Sequence, residues 1–245
     1  MIGIFDSGSG GLTVLRQIRN RLPLQDILYF GDLKNAPYGP RSREELSHLT
    51  QASIQLLTDK GATHIVSACN SVSASLAAPF DQVLEMTGPA AASFQNSNER
   101  ILLCATSATV QSGIYQRAFE RIGKSITALE IPELAGAIEG GASEDALEKI
   151  IKDAFIDIPL QDFDVLVLAC THYPLVAHLF TKMLSDSVRL FDPADAVAKQ
   201  AEMLWGDETP SSGTLRFLIS KDSETFRSFV SKLFPHDAYA IEVIE

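Results

Sequence analysis

The chain has 245 residues and carries 31 acidic against 20 basic side chains, a net charge of −11. Apolar residues make up 46% and charged residues 21%, the composition of a globular protein that hides about 70–75% of its unfolded surface without disulfide or metal staples. Such acidity argues against nucleic acid or an anionic membrane as a bulk partner, no apolar run approaches the ~20 residues of a bilayer span, and no basic segment precedes the short N-terminal apolar run, so a cytoplasmic protein is expected.

Short apolar runs alternate with helix-period stretches along the chain. Ile2–Phe5, Ile27–Phe30, His64–Ala68, Ile101–Ala105, Ile126–Leu129, Val165–Ala169, Val188–Phe191, Leu215–Ile219 and Tyr239–Ile244 predict strands. Several are apolar at consecutive positions, as strands covered on both faces are. Between them, Leu12, Leu15, Ile18 and Leu22 predict one helix, and Leu46, Leu49, Leu56 and Leu57 part of another. A third follows Pro193, a residue suited to a helix start. The alternation predicts α/β architecture with largely parallel sheets.

One segment echoes another. His64-Ile-Val-Ser-Ala-Cys69-Asn70-Ser71 resembles Val165-Leu-Val-Leu-Ala-Cys170-Thr171-His172, with the cysteines 101 residues apart. Each is an apolar strand ending in Ala-Cys before a helix-like stretch. Ligands of parallel α/β sheets bind beyond the carboxyl ends of strands, and helix N-termini there favour a thiolate. The echo predicts two similar doubly wound, mainly parallel-sheet domains with the active site in the cleft between them, one thiol on each side. The polar stretch Gln95–Arg100 and the turn near Phe191–Asp195 divide the chain into a first domain of residues 1–94 plus 192–245 and a second of residues 95–191. Gly206–Gly213 reads as a surface loop.

The chemistry rests on the two cysteines. Paired thiols on opposite sides of a carbon acid invert its configuration, one removing the α-proton as thiolate and the other delivering a proton to the opposite face. The third, Cys104, sits inside an apolar strand and reads as core packing. Three scattered cysteines are no disulfide framework, and Cys170-x-His172 lacks the further ligands of a metal site. Asp6-Ser7-Gly8-Ser9-Gly10-Gly11 is a strand-to-helix turn whose N–H groups suit an anion. Thr13 leaves the dinucleotide glycine pattern incomplete, which ranks a nucleotide-dependent oxidoreductase last. Asp6 either orients a general base or caps the next helix. Tyr38 and the N–H of Gly39 face a ligand or form a rigid turn. Thr106 and Thr109 bind an anion, or Thr106 caps its helix. His172 tunes the nearby thiol, and Glu139 is either its further partner or a solvated helix residue.

Together the stretches GIFDSGSGGLTVL (3–15), YFGDLKNAPYGPRS (29–42), ACNSVSA (68–74), ATSATVQSGIY (105–115), LACTHYPLV (168–176) and TLRFLISKDSETFRSFVSKLF (214–234) resemble the glutamate racemase family over nearly the whole chain. The resemblance implies a cofactor-independent enzyme that interconverts L- and D-glutamate for peptidoglycan synthesis, without pyridoxal phosphate, metal or nucleotide. It implies Cys69 and Cys170 as the acid–base pair, with Asp6 assisting the first and His172 and Glu139 the second. Substrate contacts are implied at Asp6, Ser7, Tyr38, Gly39, Asn70, Ser71, Thr109, Thr171 and His172, and members of the family often form homodimers. The chain departs from the family pattern at Ser71 (usually Thr), at Asn35 (commonly Arg), at Ile131-Pro132 (usually Cys-Pro) and in FDPAD at 191–195. The alternatives are a racemase of another amino acid such as aspartate, or a non-catalytic amino-acid-binding protein on the same scaffold.

Overall fold

The computed structural model describes residues 1–73 and 83–244. Its strands are β1 (Ile2–Asp6), β2 (Ile27–Gly31), β3 (His64–Ser67), β4 (Val83–Leu84), β5 (Ile101–Ala105), β6 (Ile126–Glu130), β7 (Val165–Leu168), β8 (Arg189–Phe191), β9 (Leu215–Ile219) and β10 (Tyr239–Val243). Every expected strand is present, with ends shifted by at most one residue. Only β4 was unexpected, because two residues carry no periodicity. Ala74, the last residue of the ACNSVSA stretch, lies outside the described residues.

The strands form two parallel sheets, ordered β10-β9-β2-β1-β3-β4 and β6-β5-β7-β8. The order β2-β1-β3-β4 repeats as β6-β5-β7-β8, and in each copy the cysteine follows the third strand in chain order. Register is regular: Ile2 pairs with Ile27 and His64, and Ile101 with Ile126 and Val165.

Consecutive apolar residues serve opposite faces, because side chains alternate along a strand. In the larger sheet Ile2, Ile4, Tyr29, Val66 and Phe217 pack against helices Leu12–Arg21, Pro193–Trp205 and Glu224–Leu233. Phe5, Leu28, Phe30, Ile65 and Leu218 pack on the other face against Leu46 and Leu57 of helix Arg43–Asp59. That helix starts with a capping box, Ser42 accepting from the N–H of Glu45 and Glu45 from that of Ser42. In the smaller sheet Leu102, Cys104, Leu166 and Leu168 meet Leu134, Ile138, Leu147 and Ile151. Ile101, Leu103, Val165 and Val167 meet Phe94, Tyr115 and Phe119. Both sheets are thus sandwiched between helices, and each fully buried aliphatic side chain contributes about 1.5–3 kcal/mol. Cys104 is fully buried in β5 and directs its thiol to the Val167 carbonyl at 3.6 Å, as core packing requires.

Candidate active site

The carboxyl ends of both sheets border one cavity of about 400 Å³. β3 and β7 each run out through an alanine into a cysteine, and Cys69 and Cys170 both line this cavity. Both are buried, at 5% and 6% exposure. Ser7, Tyr38, Gly39, Asn70 and Ser71 line it from the side of the larger sheet, and Glu139, Thr171 and His172 from that of the smaller. Asp6 and Thr109 are buried behind the wall rather than in it.

The expectation of a helix-stabilised thiolate needs correction at Cys69. The following helix is described from Asn70 to Ser73. Burial pushes the Cys69 thiol well up, the negative charge of Asp6 adds to this, and the N–H groups of Val72 and Ser71 only partly offset it. The Cys69 sulfur lies 4.0 Å from the Ser7 hydroxyl.

Around Cys170 the companions are charged. His172 stands within hydrogen-bonding reach of Cys170 and donates from Nε2 to Glu139 Oε2 at 2.7 Å. Burial works against the imidazolium, but the hydrogen bonds to Cys170 and Glu139 and the Glu139 charge hold its pKa well above the usual value. Glu139 closes helix Leu134–Glu139, an end where a helix dipole disfavours an anion. Burial also opposes its charge, yet the hydrogen bond and charge of His172 and two bonds from Ser9 hold its pKa below the usual value. Those bonds come from the Ser9 N–H at 2.7 Å and its hydroxyl at 2.9 Å.

The glycine-rich turn does bind carboxylates, but the protein's own. The N–H groups of Gly8 and Gly11 donate to Asp6 Oδ2 at 3.1 and 3.0 Å, and that of Ser9 to Glu139. The glycines also make room. A Cβ on Gly8 would run into the Glu139 carboxylate, and one on Gly10 would stand 2.5 Å from His172 Nδ1 and 2.8 Å from the His172 backbone nitrogen. Asp6 accepts from the Thr171 hydroxyl at 3.3 Å, and burial raises its pKa despite the nearby His172. Asp6 thus couples the larger sheet to the residue beside Cys170, while its charge is also felt at Cys69.

Three hydroxyls cross between the sheets: Ser71 Oγ lies 3.1 Å from Thr106 Oγ1, which lies 3.1 Å from Thr109 Oγ1. Thr106 does not cap its helix through its side chain, contrary to expectation, but lines the cavity with Thr109 behind it. The Tyr38 hydroxyl is already engaged, donating to Asp32 Oδ2 at 2.7 Å, and Asn35 donates to both oxygens of the same carboxylate. Tyr38 therefore offers the cavity its ring. Asn70 is the reverse case. Its Oδ1 accepts from Tyr115, while its buried Nδ2 has no hydrogen-bond partner among the described residues. Besides Ala36, Pro37, Pro40 and Ser107, which flank residues already named, Pro132, Glu133, Ala135 and Gly136 line the cavity. Only their proximity to Glu139 in the chain could have signalled them. Among the described residues no cluster of three or more His, Cys, Asp or Glu stands ready to hold a metal ion, and no helix is long and apolar enough to cross a membrane.

The sequence matches the Asp/Glu/hydantoin racemase family over residues 12–201. It is 35% identical to a glutamate racemase of Koribacter versatilis, covering 100% of this chain and 97% of that protein. Among solved structures it is similar to a glutamate racemase isoform from Bacillus anthracis, with a TM-score of 0.90, 27% identity, and coverage of 100% of this chain and 97% of the other. A glutamate racemase from Francisella tularensis in complex with D-glutamate superimposes with a TM-score of 0.87, 27% identity and the same coverage. With most of its length matched, and with two cysteines at equivalent strand ends around one cavity, the chain belongs to the Asp/Glu/hydantoin racemase family.

Proposed function

We infer that this protein is a glutamate racemase, a cofactor-independent amino-acid racemase that interconverts L- and D-glutamate through two thiols. The observation that carries the reading is that Cys69 and Cys170 share one buried cavity, each at the tip of the third strand of a repeated sheet order. The relatives named above are glutamate racemases, and one of them was solved with D-glutamate bound.

In the reaction one sulfur, as thiolate, takes the α-proton, and the electron pair of the C–H bond passes into the α-carboxylate system. The other sulfur, as thiol, gives its proton to the opposite face and becomes the thiolate. The reverse direction exchanges the two roles. Ser7, Asn70, Ser71, Thr171 and the N–H of Gly39 hold the substrate carboxylates and amine. His172 and Glu139 set the charge at the Cys170 end, and Asp6 acts through Thr171 and on Cys69. Fixed donors in a water-poor cavity stabilise the charge that develops on the carboxylate.

The reading extends to a domain division at residues 1–94 plus 192–245 and 95–191. Sheet membership supports it, although Ala90, Ala91 and Phe94 already pack into the core of the smaller sheet. It also extends to a cytoplasmic location, to supply of D-glutamate for peptidoglycan synthesis, and to a homodimer, which sedimentation velocity would detect.

The test is proton NMR of L-glutamate with the protein in heavy water, beside L-aspartate. Loss of the glutamate α-proton signal with growth of D-glutamate is expected, and Cys69→Ala and Cys170→Ala should each abolish racemisation. Persistent racemisation by the double alanine variant, or exchange with aspartate alone, would overturn the assignment.

A further inference from the structure

Ser9 sits in the glycine-rich turn after β1, yet its side chain is spent on the smaller sheet. It is fully buried and stands behind the cavity wall. Its hydroxyl donates to Glu139 Oε1 at 2.9 Å and its N–H to Glu139 Oε2 at 2.7 Å. Glu139 Oε2 also meets His172 Nε2 at 2.7 Å, and His172 stands within hydrogen-bonding reach of Cys170. One serine of the larger sheet thus grips both oxygens of a carboxylate that closes a helix of the smaller one.

The turn is built for this grip. The N–H groups of Gly8 and Gly11 are anchored on Asp6, and the Ser9 carbonyl accepts from the Leu12 N–H at 3.2 Å, so Ser9 is held from both sides. Glycine before and after it lets Glu139 and His172 approach. The last torsion of a glutamate side chain is soft and roughly two-fold, so a carboxylate held by one oxygen swings about it. Donors on both oxygens stop the swing and leave Oε2 turned to His172. The polarity is fixed too. An ionised carboxylate only accepts, so the hydroxyl must donate, and donors to the charged form favour that form. Both Ser9 bonds accordingly help to hold the Glu139 pKa below its usual value.

We propose that Ser9 is a positioning residue for the Cys170 end of the site: its hydroxyl and N–H hold the Glu139 carboxylate, across the boundary between the two sheets, with one oxygen turned to His172. Its effect on turnover rests on the glutamate racemase reading; the hold on Glu139 does not. The titratable groups that face the pair are Cys170 beside His172, Asp6 at the end of β1 and the buried, neutral Tyr29 of β2.

The experiment labels the glutamate side-chain carboxyls with 13C and titrates them in the substrate-free protein, the Glu139 signal being the one missing from Glu139→Gln. Ser9→Ala removes the hydroxyl and keeps the N–H. It should move the Glu139 titration up by about one pH unit, the worth of one hydrogen bond to a charged group. Thr13→Val removes another buried hydroxyl nearby, one bonded to the Gly10 carbonyl at 3.0 Å, and should leave the Glu139 titration in place. The acid limb of kcat/KM for L- and D-glutamate should move up with the titration in Ser9→Ala, while KM at neutral pH stays within about two-fold. An unmoved Glu139 titration in Ser9→Ala, or an equal shift in Thr13→Val, overturns the proposal. A moved titration with an unmoved acid limb overturns it too, because Ser9 would then hold Glu139 without bearing on the reaction. If the wild-type protein exchanges no α-proton, the racemase reading fails, and the titration alone judges the hold on Glu139.

Discussion

Glu139→Gln isolates the charge that one helix end contributes to the other sheet. The substitution keeps shape and an acceptor but removes the anion that meets His172 at 2.7 Å and Ser9 at 2.7 and 2.9 Å. Both side chains are well buried, at 7% and 14% exposure, so solvent screens the pair little. Hydrogen bonds to charged groups contribute about 1.5–3 kcal/mol each, and loss of one member of a buried pair leaves the other charge unbalanced. A destabilisation of about 2–3 kcal/mol is expected, and it must depend on pH. His172 has a raised pKa, so its stabilisation is complete below the ordinary 6.5 and fades as pH rises through the folded value. Glu139 has a lowered pKa, so its stabilisation is present above the ordinary 4.5 and fades as pH falls through the folded value. The deficit of the variant should therefore peak between these two values and shrink at alkaline pH. Urea unfolding in steps from about pH 5 to about pH 10 measures it. A deficit that is flat with pH, or that grows on the alkaline side, would refute the ion pair as the source.

Other substitutions test other parts. Gly10→Ala pushes a methyl against a backbone nitrogen and the His172 ring; a stability loss of about 1–3 kcal/mol and at least a tenfold drop in racemisation are expected in thermal melts and polarimetry. Phe217→Ala empties a fully buried ring position ringed by Tyr29, Phe226, Phe234 and Tyr239 and should cost about 3–5 kcal/mol in urea unfolding, with no change in the shape of the pH–rate profile. Cys104→Ala should lower stability by about 1 kcal/mol and leave turnover within about two-fold. A loss of activity there as complete as at Cys69 or Cys170 would contradict its reading as core packing.

Most of the architecture is legible in the chain because its signals are local. The strands show as apolar runs, and the cysteines announce their places by following such runs through an alanine. What stays hidden is long-range. The turn N–H groups look free in sequence, but their acceptors include a glutamate 130 residues away. The destination of the Thr106 hydroxyl depends on Ser71 across the cavity, so the local capping rule points elsewhere. The bond between Tyr115 and Asn70 leaves no trace in spacing. The thiolate expectation at Cys69 fails for the same reason: a helix start is local and visible, whereas the desolvation that outweighs it comes from the whole surrounding fold.

The repeated threading of the two sheets has a consequence for how the bound molecule must move. Two copies of one pattern, meeting at their carboxyl ends, bring a sulfur to each side of the space between them. On the two-thiol reading proposed above, a planar carbanion held there need not tumble, shift or leave to change handedness; hydrogen arrives from the other wall while it stays in place.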